Sequence, residues 1–316
     1  MIRPLSLAVI PLLTACGGPA KPAGTTPDPH TEAVPAIAVE AAQLPFVVYD
    51  RDGRTVETAA MFQALSEARA VCIGEQHTDP HHHWIQLQVL DELTKRAGDG
   101  VELGLGFEMF QRPYQAVLDH YAAGSIDDRV LLAKTEWRKR WGYDWKLYSP
   151  MVRMAVERNV ALVALNIEEE LRKKFSKQGI DALTEQERAR LPELDLENEA
   201  HKAWFAGVMA GHPGEDGGDD GPDEEAMARI YRVQVLWDET MADTAARWLA
   251  GGDNRRMVIF AGNGHCHDAA IVQRMARRGV TPAVSVRPVI DDGEGSADEA
   301  IREGQNDYIV VMIEPE

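Results

Sequence analysis

Ala70-Val71-Cys72-Ile73-Gly74-Glu75-Gln76-His77 opens on four apolar residues and turns polar at a glycine. A run so short, with no polar alternation, reads as a strand covered on both faces, and the polar turn as its exit from the sheet. The pattern recurs along the chain. Leu103 to Phe107 ends on Glu108, Ala161 to Leu165 on Asn166, and Met257 to Ala261 on Gly262-Asn263-Gly264-His265-Cys266-His267, while Ala283 to Val286 is a further run of the same kind. Amphipathic segments separate these runs, and Asp79-Pro80, an N-cap acid before a proline, predicts a helix from about Pro80 to Lys95. Such alternation predicts an α/β domain with a mostly parallel sheet flanked by helices. Upstream, Phe46 to Tyr49 and Arg54 to Val56 bracket an Asp-Gly turn and read as a hairpin. Downstream, Ile309 to Ile313 is expected to close the sheet as an edge strand. The interval 167–250 carries helical periodicity without a strand pattern and is expected to be a helical insertion or lid.

In an open parallel sheet the ligand crevice lies beyond the carboxyl ends of the strands. His77, Glu108 and His265 follow three apolar runs and would converge there if the strand order permits. Imidazole and carboxylate together can exchange protons or hold a metal. The bland alternatives are histidines that cap helices, and a Glu108 that pairs with Arg112 at helical spacing. Of His81, His82 and His83, at most one or two can face the crevice, and the rest are expected in solvent. Gln234 and Asp238 share the apolar stripe of the segment from Met227 to Leu249; a role in satisfying the core is slightly favoured over support of the site. Residues 137–148 gather Trp137, Trp141, Trp145, Tyr143 and Tyr148 with Arg138, Lys139, Arg140 and Lys146, a composition suited either to a core or to a flat anionic ligand.

Composition narrows the classes. Of 316 residues, 33 are Lys or Arg and 51 are Asp or Glu, and the net charge of -18 opposes binding to phosphate backbones, so nucleic acid is not an expected partner. Beyond the first fifteen residues no window approaches the ~20 apolar residues of a membrane-spanning helix. Residues 1–15 read as a signal peptide, and Leu13-Thr14-Ala15-Cys16 resembles the bacterial lipobox, which makes Cys16 the expected lipidated N-terminus. Gly17 at the next position favours the outer membrane. Residues 16–45 are proline-rich and read as a disordered tether, leaving 46–316 as the domain. Cys72 is expected to be a small buried hydrophobe, and no disulfide framework is indicated. The acidic stretch 211–225 misses the ligand spacing of a calcium loop, with Gly218 where an oxygen ligand is needed, and reads as a solvated loop.

Taken in order, Gly74-Glu75-Gln76-His77 with His81 to His83 and Gln86, Gly106 to Phe110, Tyr148-Ser149-Pro150, Asn166, Gln234 with Asp238 to Ala242, and Ala261 to His265 resemble the ChaN-like haem-binding lipoproteins. These belong to the haem-binding uptake and Tiki superfamily, which also has erythromycin-esterase-like and metalloprotease-like members. The resemblance covers roughly residues 45–287 and implies haem as cofactor, a lipid anchor in the outer membrane, and haem or iron uptake. By motif it implies that His77, Glu108 and His265 are the superfamily's polar cluster. Tyr143 and Tyr148 are candidate axial ligands, one or more of Trp141, Tyr143, Trp145 and Tyr148 a wall for the ring, and Arg138 or Arg140 partners for the propionates. A homodimer, whose second protomer covers the other face of the ring, and an outer-membrane receptor are the expected partners. The alternative is a metal-dependent hydrolase, protease- or esterase-like, in which His77, Glu108 and His265 hold a divalent metal or activate water.

Overall fold

The computed structural model describes residues 37–210 and 224–314. Cys16, most of the expected tether, and residues 211–223 of the acidic stretch lie outside the described residues. Among the described residues there are eight strands: β1 (Phe46–Asp50), β2 (Thr55–Val56), β3 (Ala70–Ile73), β4 (Glu102–Gln111), β5 (Ala161–Asn166), β6 (Arg255–Phe260), β7 (Ala283–Asp291) and β8 (Tyr308–Ile313). They form one sheet in the order β2-β1-β8-β7-β3-β6-β4-β5. From β8 to β5 every pairing is parallel, and the β1–β2 hairpin adds antiparallel at one end.

The pleat divides the core into two layers. Val71 and Ile73 of β3 and Val258 and Phe260 of β6 face the helices Pro80–Arg96 and Ser149–Glu157. Ala70, Cys72, Met257 and Ile259 face the opposite way, onto Met241, Ala242, Ala245 and Leu249 of the helix Glu224–Leu249. That helix is therefore one of the two covers of the sheet, which corrects its expected place in an insertion; residues 169–210 carry no strand, and Leu171, Phe175 and Leu183 among them pack with Ile167 and Leu236 as a separate small cluster.

Three other expectations are corrected. β8 is not an edge: β1 and β7 pair with it on either side, and Ile309, Val310, Val311 and Met312 are buried. The edges are β2 and β5, and on β5 the Gln115 side-chain amide donates to Leu162 O and accepts from Ala164 N, each at 2.8 Å, which closes part of the open backbone edge. The packed chain also begins upstream of Phe46, since Val39, Ala42 and Leu44 are buried and Pro45 O accepts the Ile313 amide at 2.8 Å. Finally, Cys72 and Cys266 form a disulfide with Cα atoms 5.2 Å apart. The parallel crossover lays β6 beside β3, and the turn after β6 folds back over Cys72, so residues 194 apart in sequence meet.

The helix Pro80–Arg96 starts where the sequence places it, with the Asp79 carboxylate accepting the His81 amide at 2.8 Å. β4 runs further than expected, to Gln111, and its register with β5 breaks between Phe107 and Gln111. Glu108 thus belongs to the irregular end of a strand.

Candidate functional site

The sheet order makes β3, β6 and β4 neighbours, and their carboxyl ends deliver the polar residues to one place. The β3 and β6 turns touch directly: a Cβ on Gly74 would lie 2.0 Å from Asn263 Oδ1, so only glycine fits there. Glu75 is buried beneath them. Its Oε1 accepts the Tyr148 hydroxyl at 2.9 Å and pairs with His77 Nδ1 at 2.8 Å, while Oε2 accepts Gln86 Nε2 at 2.8 Å and lies 3.5 Å from His83 Nδ1. Burial alone would raise the Glu75 carboxyl, but His83, His77 and Gln86 together outweigh it and bring it down to about 2. In His77 the balance runs the same way: burial lowers its basicity, and Glu75 more than restores it, so the imidazole stays charged to higher pH than usual. With Nδ1 fixed on the carboxylate, the orientation of the ring is set. Trp141 and Tyr143 line its sides, with ring centroids at 4.7 and 4.9 Å. Tyr143 reaches this position because the chain reverses at Gly142, whose φ of +91° glycine adopts without strain, and because Trp137 Nε1 donates to Tyr143 O at 2.8 Å.

Glu108 joins the two turns. Its Oε2 accepts the Gly262 amide at 2.8 Å, and its Oε1 lies 3.4 Å from His265 Nε2. A Cβ at Gly262 would stand 3.0 Å from His77 Cε1 and 3.7 Å from Glu108 Oε2, so His77 and Glu108 meet across this glycine. On its other side His265 Nδ1 contacts Asp238 Oδ1 at 2.6 Å, and Asp238 Oδ2 lies 3.1 Å from His201 Nε2. Burial disfavours a charged His265, yet Glu108 and Asp238 outweigh it and lift the imidazole to about 10. Both carboxyls are held below their ordinary range against the cost of burial, largely by His265. Carboxylate and imidazole thus alternate from Glu75 to His201.

The structure brings His77, Glu108 and His265 together, sets Trp141 and Tyr143 against His77, and engages or exposes the remaining candidates elsewhere. Tyr148 is buried, its hydroxyl committed to Glu75, and burial beside that carboxylate keeps the phenol protonated far beyond its usual range. Trp141 is buried against His77, Tyr143 is half-buried, and Arg138 is exposed. Arg140 is engaged by Glu136 at 2.6 Å and Glu170 at 3.0 Å. None of the three consecutive histidines is left in solvent, contrary to expectation: His81 Nδ1 contacts Ala42 O at 2.7 Å, His82 Nδ1 accepts the Gln76 amide at 2.9 Å, and His83 Nε2 lies 3.2 Å from His77 O. The upstream segment and the His77 loop wrap the first helical turn and supply these partners. Burial brings the His82 imidazole down to about 4. Arg112 pairs with Glu168 at 2.7 Å and leaves Glu108 to the site. Asp238 and Gln234, the latter donating to Gly264 O at 3.0 Å, support the His265 turn, which overturns the preference for a core role. Glu75 is not among the expected site residues, although the polar turn after β3 already marks it.

Among the described residues no three His, Cys, Asp or Glu side chains are grouped to hold a metal ion. Two open surface depressions, of about 360 Å³ beside Arg51 and Asp268 and about 550 Å³ beside Tyr121 and Arg153, are lined by none of His77, Glu108 and His265.

No curated protein matches the chain in sequence. Among solved structures, ChaN of Campylobacter jejuni, described as showing cofacial haem binding, superposes with a TM-score of 0.65 at 17% identity over 84% of this chain and 96% of that one, a likeness of fold. A Bacillus cereus protein (TM-score 0.44, 13% identity, 80% of this chain and 90% of that one) and an erythromycin esterase in its open conformation (0.42, 10%, 78% and 77%) align too loosely to bear on the reading. The family model for "Haem-binding uptake, Tiki superfamily, ChaN" matches residues 61–275, which include β3 to β6 and every residue of the polar cluster, and the chain belongs to that family.

Proposed function

We propose that this protein binds haem at the mouth of the crevice, on the His77 side, as a lipid-anchored outer-membrane protein that serves haem or iron uptake. The observation that carries the reading is the arrangement of Trp141 and Tyr143 around a partly exposed His77 whose Nδ1 is fixed by Glu75. Aromatic faces favour a flat ring by stacking, and the mouth offers both oxygen and nitrogen donor types, which fits an iron porphyrin. Bound haem would supply an iron that takes an axial ligand from the protein. Of the two candidate tyrosines, Tyr143 is the one at the mouth, and exposed Arg138 is the cation for a propionate. Glu108 and Asp238 lie too deep to meet a macrocycle, and they hold His265 in the floor of the site.

Export is supported by the lipobox-like run ending at Cys16 and by the buried Cys72–Cys266 disulfide, a bond that persists in oxidising compartments. A covering protomer and an outer-membrane receptor are the partners this reading implies. Titration of the purified protein with haemin tests it: a saturable shift of the Soret band is expected, and its absence would overturn the reading. Cys16→Ser protein should leave the membrane fraction.

A further inference from the structure

The chain from Ala261 to His267 belongs to no strand or helix, yet it must aim His265 at Glu108. Within it, the His265 and Cys266 amides both donate to Gly262 O, at 2.8 and 3.3 Å. Outside it, Cys266 O accepts Asn306 Nδ2 at 2.7 Å, and Cys266 Sγ is bonded to Cys72. Both half-cystines are buried in the layer formed by Met241, Ala245 and Ile259. Cys72 lies on β3, the strand whose exit delivers Glu75 and His77. The covalent tie between β3 and the turn that bears His265 is therefore adjacent to His265 in sequence.

We propose that Cys266 is a positioning residue: its bond to Cys72 fixes the His265 turn against β3, so that His265 is held on Glu108 only in the oxidised chain. The consequence for haem rests on the reading above; the positioning of His265 does not. The bond forms by exchange with a disulfide-bearing oxidant of the envelope, two thiols of this chain being oxidised while the oxidant's disulfide is reduced to two thiols. A chain still in a reducing compartment would then carry an unassembled site, completed after export.

The test compares wild type with the Cys72→Ala, Cys266→Ala double variant, well below the unfolding midpoint of each, by imidazole ¹⁵N NMR and haemin titration. The expected result is that the His265 resonances move towards those of a free imidazole and haemin binds about tenfold more weakly, the low end of what loss of an outer support costs. Unchanged His265 resonances with only a lower unfolding midpoint, the result of a merely stabilising cross-link, would overturn the proposal. If the double variant does not fold, Cys72→Ala alone keeps Cys266 in place and is read the same way. A wild type that binds no haemin overturns the haem reading, and the resonances then decide the positioning role alone.

Discussion

His77 and His265 flank the same carboxylate and are held in opposite ways. His77 has one anchoring carboxylate, Glu75, and two aromatic neighbours. His265 is buried between Glu108 and Asp238, and Asp238 in turn reaches His201. The first arrangement fixes one ring nitrogen and lines the ring with aromatics. The second locks a buried cation, whose stability depends on its partners remaining ionised.

That contrast breaks most visibly if Asp238 is removed. Asp238→Ala leaves His265 and His201 without their shared carboxylate, and a loss of about 3–5 kcal/mol is expected in denaturant unfolding. Less than about 1 kcal/mol would mean that the buried pairing is idle. Glycine 262 probes the boundary between the two halves. Gly262→Ala places a methyl 3.0 Å from His77 Cε1, so about 1–3 kcal/mol of stability should be lost, with the His77 ring displaced in the variant's structure.

The pH profile sharpens the comparison further. The His265 imidazole is lifted from 6.5 to about 10, so its stabilisation is fully present below pH 6.5 and is lost as the pH rises through about 10. Glu75 is lowered from 4.5 to about 2, so its contribution is present above pH 4.5 and is lost as the pH falls towards about 2. Unfolding free energy against pH should therefore fall on both flanks, the alkaline one flattening in His265→Gln and the acid one in Glu75→Gln; flanks that each variant leaves unchanged would contradict the assignment. The smallest effect is expected at Arg138. An exposed cation contributes little, so Arg138→Ala should weaken haemin binding by no more than about fivefold, with a dependence on salt that wild type shows more strongly.

The sequence makes most of this legible, for physical reasons. Runs buried on both faces and ended by glycine mark β3 and β6, and with Glu108 they name the cluster before any strand order is known. Strand order itself is not written in periodicity, which is why β8 reads as an edge and why Cys72 and Cys266, 194 residues apart, do not read as a pair. The interval 167–250 shows the same limit: its helical stripe is plain, but only the packing of Met241 and Leu249 on the sheet reveals that its last helix is a cover. Asp238 falls on that stripe by spacing alone, and the imidazole that makes it functional comes from a distant turn. Tyr148 shows the converse, a residue that the family resemblance offers as a candidate ligand and that folding turns inward to Glu75.

The central claim places haem on the His77 side, and the most direct measurement compares haemin titrations of wild type, a Trp141→Ala, Tyr143→Phe double variant, and a Tyr121→Phe control beside the depression at Arg153. The account predicts a Soret shift in wild type and control, and in the double variant binding at least about tenfold weaker with altered bands, since ring stacking and the axial oxygen are lost together. Equal affinity and identical spectra in all three would place haem elsewhere and contradict the account.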